Sequence, residues 1–145
     1  MKKILILILT IIVVAVVFFV LNYKEYEINQ INLKQFNITY EEFNRDKLNG
    51  LDIVTIMNQA TSNNEKYEIQ KDKDGLYILD DEYSIEIYLT MVQNSETYRM
   101  ERFTSIENNS NFIRLFGDVN FRCANVTYHQ KTGRIATMEF EATEY

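Results

Sequence analysis

The chain predicts an α+β protein: an N-terminal transmembrane helix, one or two further helices, and an antiparallel sheet of five or six strands. Three observations lead there. Ile4 to Leu21 is an unbroken apolar run in which Thr10 is the one polar side chain. Apolar residues then recur at helical spacing as far as Ala60. From Tyr67 onward the period shortens to the alternation that lines one face of a strand.

The apolar run is eighteen residues long, so as a helix it measures ~27 Å against the ~30 Å of hydrocarbon in a bilayer. A removable signal would have a shorter apolar core and small residues at the exit. Here Leu21-Asn22-Tyr23-Lys24-Glu25 follows, with no Ala-x-Ala pattern, so an uncleaved, single-pass signal anchor in the lipid bilayer is expected. Lys2 and Lys3 precede the run while the segment after it mixes both signs, which places the N-terminus in the cytoplasm. The chain then divides into a cytoplasmic tip and anchor (1–22), a helical stalk (23–49) and an extracytoplasmic α+β domain (50–145).

Leu33, Phe36, Tyr40 and Phe43 form one stripe in the stalk. Thr39-Tyr40-Glu41-Glu42 fits a capping box, so a break near Asn37 and a restart at Tyr40 are expected, with Gly50 as the stop. Asp52 is positioned to cap the next helix, whose stripe Ile53, Ile56, Met57 and Ala60 faces a core; the polar cluster Thr61-Ser62-Asn63-Asn64 would end it. Strands are expected around Tyr67–Lys71 and Leu76–Leu79, on either side of an Asp74-Gly75 turn. In Ser84–Val92, Ile85, Ile87, Leu89 and Met91 point one way and Glu86, Tyr88 and Thr90 the other. A turn at Asn94-Ser95 leads into a strand over Thr97–Phe103, and Ser110 caps a short helix ended by Gly117. The last two strands, Asn120–His129 and Arg134–Ala142, form a hairpin with Gly133 where a positive φ is needed. A parity change between Phe121/Cys123 and Val126/Tyr128 requires a bulge near Ala124 or Asn125.

Charge and composition narrow the function. The net charge is −6, and removing Lys2 and Lys3 leaves −8 beyond the span, which repels nucleic acid and anionic lipid alike. The single Cys123 allows no internal disulfide, so stability must come from a core. Cys123 and His129 are each the only residue of their type; six residues apart on a strand, they lie ~20 Å apart and form no nucleophilic pair. Cys123 is expected to be buried and His129 exposed at a hairpin end. Lys131-Thr132-Gly133 matches a triplet of penicillin-interacting enzymes, but no Ser-x-x-Lys accompanies it, so the triplet reads as a turn.

Asp72 and Asp74, followed by Gly75, partly match a calcium loop, but Gln70 and Asp81 replace its end ligands and the flanks alternate as strands. Asp80-Asp81-Glu82 adds a second acidic turn. Asp72, Asp74, Asp80, Asp81 and Glu82 are therefore the weak cation candidates, while no catalytic residue or cofactor is expected. A non-catalytic domain that contacts a protein partner in the membrane or envelope is the leading expectation, and a ligand- or cation-sensing domain the alternative.

Gly50-Leu51-Asp52-Ile53-Val54-Thr55-Ile56-Met57-Asn58, Asn63-Asn64-Glu65, Phe121-Arg122-Cys123 and Tyr128 to Ile135 together resemble a group of uncharacterised single-span membrane proteins of low-GC Gram-positive bacteria. That resemblance implies location and architecture and no activity. A looser architectural similarity is to minor pilins and pseudopilins, which also place an apolar helix before an antiparallel sheet. Their processing-site Gly and the Glu five residues into the apolar segment are missing here.

Overall fold

The computed structural model describes residues 2–92 and 96–143. The element order is α1 (Lys2–Glu41), α2 (Gly50–Lys66), β1 (Glu86–Thr90), β2 (Thr97–Arg99), a 3-10 turn (Met100–Arg102), α3 (Ile106–Phe116), β3 (Phe121–Tyr128) and β4 (Ile135–Ala142). The chain separates into two units, one ending at Gln35 and one beginning at Phe36. The first unit is helical and carries the apolar run. It is long and apolar enough to cross a membrane, and its most apolar window is 0 % buried.

The break expected near Asn37 does not occur; the helix runs unbroken to Glu41. Its last turns belong to the second unit, where Tyr40 and Phe43 are buried and Phe36 packs beside them. Asn37 spends its carboxamide on another part of the fold. Its Nδ2 donates to the Gly133 carbonyl at 2.9 Å, and its Oδ1 accepts from the Ile135 N–H at 3.1 Å. With that side chain engaged elsewhere, nothing competes with the helical backbone at this position.

Gly50 starts α2 instead of ending the stalk. A Cβ there would lie 2.2 Å from the Phe116 carbonyl oxygen, so only glycine permits this approach between α2 and the end of α3. The cap is Asn49, whose side chain accepts from the Leu51 and Asp52 N–H groups at 2.9 Å each, while Asp52 returns a bond to the Asn49 N–H at 3.0 Å. Asp52 thus closes a capping box from the third helical position. The stripe Ile53, Ile56, Met57 and Ala60 is fully buried. Each of the two isoleucines and the methionine contributes roughly 1.5–3 kcal/mol through burial. The polar cluster at 61–64 does not end the helix, because Asn63 and Asn64 reach across to another segment: they donate to the Tyr83 and Ile85 carbonyls at 2.8 Å, and Asn64 Oδ1 accepts from the Ile85 N–H.

Four strands form the sheet among the described residues, in the order β2-β1-β4-β3. This corrects the expectation of five or six. Residues 67–79 contribute only an isolated bridge between Lys71 and Tyr77. Asp72 Oδ1 accepts from the Asp74 and Leu76 N–H groups, and Gly75 has φ +81, so the stretch is a local turn that pairs with no strand of the sheet. The sheet is mixed. β1 pairs antiparallel with β2 but parallel with β4, and β4 is antiparallel to β3. Parallel pairing requires a long crossover, and here β2, α3 and β3 intervene before β4 inserts between β1 and β3. The expected strand over 97–103 stops at Arg99 and tightens into the 3-10 turn. The turn expected at Asn94-Ser95 lies outside the described residues.

The N-cap of α3 is Ser105, which accepts from the Asn108 N–H at 3.1 Å, so the helix begins five residues before the expected Ser110. Gly117 closes it, as expected. The β3–β4 hairpin follows the sequence closely, with a register shift between Cys123 and Asn125 and Gly133 at φ +69. The start of β3 is covered by an isolated bridge in which Leu48 and Phe121 exchange N–H to carbonyl bonds at 2.8 and 2.9 Å. Phe112 centres the aromatic core, with Phe103, Phe116 and Phe121 at centroid distances of 5.1, 5.1 and 6.2 Å.

Candidate functional site

An open groove of about 560 Å³ lies between the end of α1 and the polar face of α2. Its volume falls within the range of ligand clefts. Phe36 and Tyr40 supply the apolar wall; Thr55, Asn58, Gln59, Ser62 and Lys66 form the opposite one. These α2 positions recur every three or four residues because the apolar stripe of the same helix is occupied by the core, leaving this face turned to the groove. Lys66 is the single charged side chain among the lining residues. Asn58 Oδ1 accepts from Asn109 Nδ2 at 3.0 Å, whereas Gln59 Oε1 is buried without a hydrogen-bond partner. Burial pushes the Tyr40 phenol pKa up, and the Arg134 charge opposes this, so the hydroxyl stays neutral.

Arg134 contacts two of the lining residues, Phe36 and Asn63. Its guanidinium lies 3.6 Å from the Phe36 ring centroid, 4.7 Å from that of Tyr67 and 5.3 Å from that of Tyr83. It donates to Tyr67 Oη and Asn63 Oδ1, both at 3.1 Å. Tyr67 and Tyr83 stack at 4.6 Å. One cation thus ties the end of α1, the end of α2 and the β3–β4 hairpin together, and cation–π contact with a partly desolvated Arg strengthens the tie.

A second cluster pairs acids across the other end of the sheet. Glu86 on β1 is fully buried. It contacts Arg99 on β2, and Arg99 also donates to Glu101 Oε1 at 3.0 Å and to the Tyr77 carbonyl at 2.8 Å. Glu101 Oε1 accepts from the Tyr77 N–H at 2.7 Å. Burial drives the Glu86 carboxyl pKa up to about 7; Glu101 adds to the rise and Arg99 opposes it. Two carboxylates share one guanidinium, so the cluster carries excess negative charge when both are ionised. Alternation along β1 puts Glu86 on the face opposite Ile85, Ile87 and Leu89. Its burial depends on Arg99 arriving from a neighbouring strand, for which the sequence holds no local signal.

The acidic candidates Asp72, Asp74, Asp80, Asp81 and Glu82 lie in two separate turns. Asp72 Oδ1 closes the turn described above. Asp80 Oδ1 accepts from the Glu82, Tyr83 and Ser84 N–H groups at 3.0, 2.7 and 2.8 Å, and these bonds hold its pKa below the usual carboxylate range against the opposing effect of burial. Asp81 and Glu82 both pair with Lys131, at 2.6 and 3.2 Å. Asp74 is exposed in the turn. Among the described residues no three His, Cys, Asp or Glu side chains converge as a metal site would require.

His129 departs from expectation. It is buried, with Nε2 2.7 Å from the Ser84 carbonyl, because the hairpin end packs against the segment entering β1. Cys123 is half-buried, with Sγ 3.6 Å from the Asn125 carbonyl, and burial pushes its thiol pKa up, which disfavours the nucleophilic thiolate. The far half of the groove face, Ser62 to Lys66, lies beyond the helix end expected at Thr61. Continuing the three-and-four spacing through Ser62 to Lys66 would have found it.

No protein-family model, no curated protein and no solved structure matches this chain.

Proposed function

We propose that this chain is a single-pass membrane protein, anchored by Ile4 to Leu21 with its N-terminus in the cytoplasm, whose folded domain binds another protein outside the membrane without catalysis of its own. One observation carries the reading: a helix whose apolar window is 0 % buried occurs in the same chain as a domain with its own core. Leaving Ile, Leu, Val and Phe side chains in water costs ~0.8 kcal/mol per methylene, and a bilayer removes that cost over the whole run. The groove supports the binding half, since it combines aromatic surface with unsatisfied polar capacity.

Three experiments test it. After alkaline carbonate washing the protein should stay in the membrane pellet, and externally added protease should digest the domain in intact cells from which the wall has been removed. Release into the supernatant defeats the anchor, and protection from protease defeats the orientation. Cross-linking in native membranes should capture a heterologous partner; recovery of the monomer alone across several reagents defeats the binding role.

A further inference from the structure

We propose that the groove between α1 and α2 holds a short extended segment of a partner polypeptide, read through its backbone, with an acidic side chain or terminal carboxylate placed at Lys66. The inference rests on the protein-binding reading above and gives it a site and a ligand chemistry.

The wall of α2 is the first ground. A solvated helix face is ordinarily filled with strong helix formers such as Glu, Lys and Ala. This face holds Thr55, Asn58, Ser62 and Asn63 instead, each roughly 0.5 kcal/mol poorer than Ala in a helix interior. Three of them are engaged by the fold: Asn63 through Arg134 and Tyr83, Asn58 through its Oδ1 accepting from Asn109, and Thr55 through a bond from its hydroxyl to the Leu51 carbonyl. Ser62 is exposed and makes no hydrogen bond among the described residues, and Gln59 keeps a buried acceptor without a donor.

Spacing is the second ground. Asn58, Ser62 and Lys66 stand four residues apart along one line of the helix, a rise of about 6 Å per step. An extended chain presents backbone groups on the same side every two residues, about 6.6 Å apart. The Ser62 hydroxyl both donates and accepts and the Asn58 Nδ2 donates, which suits a row of peptide N–H and C=O groups, and the half-buried Phe36 offers apolar surface to the intervening side chains. Charge is the third ground. The chain has a net charge of −6, yet no acid lines the groove and its one ion is a cation that makes no ion pair among the described residues. An acidic group at that end gains a charge-assisted bond.

The probe is a random heptapeptide display library panned against the full-length protein in detergent micelles. Peptides enriched in one acidic position should bind, and Lys66→Glu should weaken them at least tenfold with selectivity moving away from acids. Ser62→Trp, which fills the groove from an exposed position, should abolish binding, while Lys71→Glu outside the groove should leave it unchanged. Thermal melting of each variant checks folding. No enrichment over background, or enriched peptides indifferent to both groove variants, overturns the proposal. So does binding of a neutral oligosaccharide array that Ser62→Trp blocks. If Ser62→Trp still cross-links the cellular partner in membranes, the groove is wrong and protein binding survives. If no form cross-links a partner, the binding reading itself has failed.

Discussion

Glu86 makes stability depend on pH in an unusual direction. Its carboxyl is fully buried and its pKa in the folded protein rises from 4.5 to about 7, chiefly through desolvation. A raised folded pKa means that the native state holds the proton more tightly than the unfolded chain does. The resulting stability is complete below pH 4.5 and is lost as pH climbs through 7. Two and a half pH units at about 1.4 kcal/mol each give about 3–4 kcal/mol between these limits. For a domain of this size that corresponds to a fall in melting temperature of roughly 10 °C or more. Asp80 works in the opposite sense. Its lowered pKa withdraws stability only as pH falls below the ordinary carboxylate value, outside this window. Chemical denaturation of the full-length protein in micelles at pH 5 and pH 8 measures the change. Glu86→Gln keeps the shape and accepts from Arg99 without ionising, so most of the pH 5 to 8 slope should vanish. A wild-type profile flat over that interval, or an unchanged slope in Glu86→Gln, refutes the reasoning.

Other expected outcomes rest on single contacts. Gly50→Ala drives a methyl into the Phe116 carbonyl and should cost about 1–3 kcal/mol in denaturant midpoint. Arg134→Leu leaves Asn63 Oδ1 and Tyr67 Oη without their donor and removes the cation from three rings, so a loss of about 2–3 kcal/mol is expected by the same measurement. Asp80→Ala strips the acceptor from three backbone N–H groups and should lower the melting temperature markedly. Millimolar calcium should leave the melting temperature of the wild-type protein unchanged, because Asp72 and Asp80 each commit an oxygen to the backbone and Lys131 holds Asp81 and Glu82; a clear upward shift would restore the cation-sensing alternative.

Local pattern and long-range pairing are legible to different degrees. The sequence determined the apolar span, the α2 stripe, the alternation that buries Ile85, Ile87 and Leu89, and the β3–β4 hairpin with its bulge and its glycine. Each of these is written within a few residues, as a period or a turn residue. Tertiary structure alone decided that β1 lies parallel to β4, that residues 67–79 stay out of the sheet, and that Glu86 is buried. Alternation tells which side chains share a face; it carries no information about which strand lies alongside, or in which direction. Glu86, His129 and Arg134 are placed by partners 13, 45 and up to 98 residues away, and only folding brings those groups together.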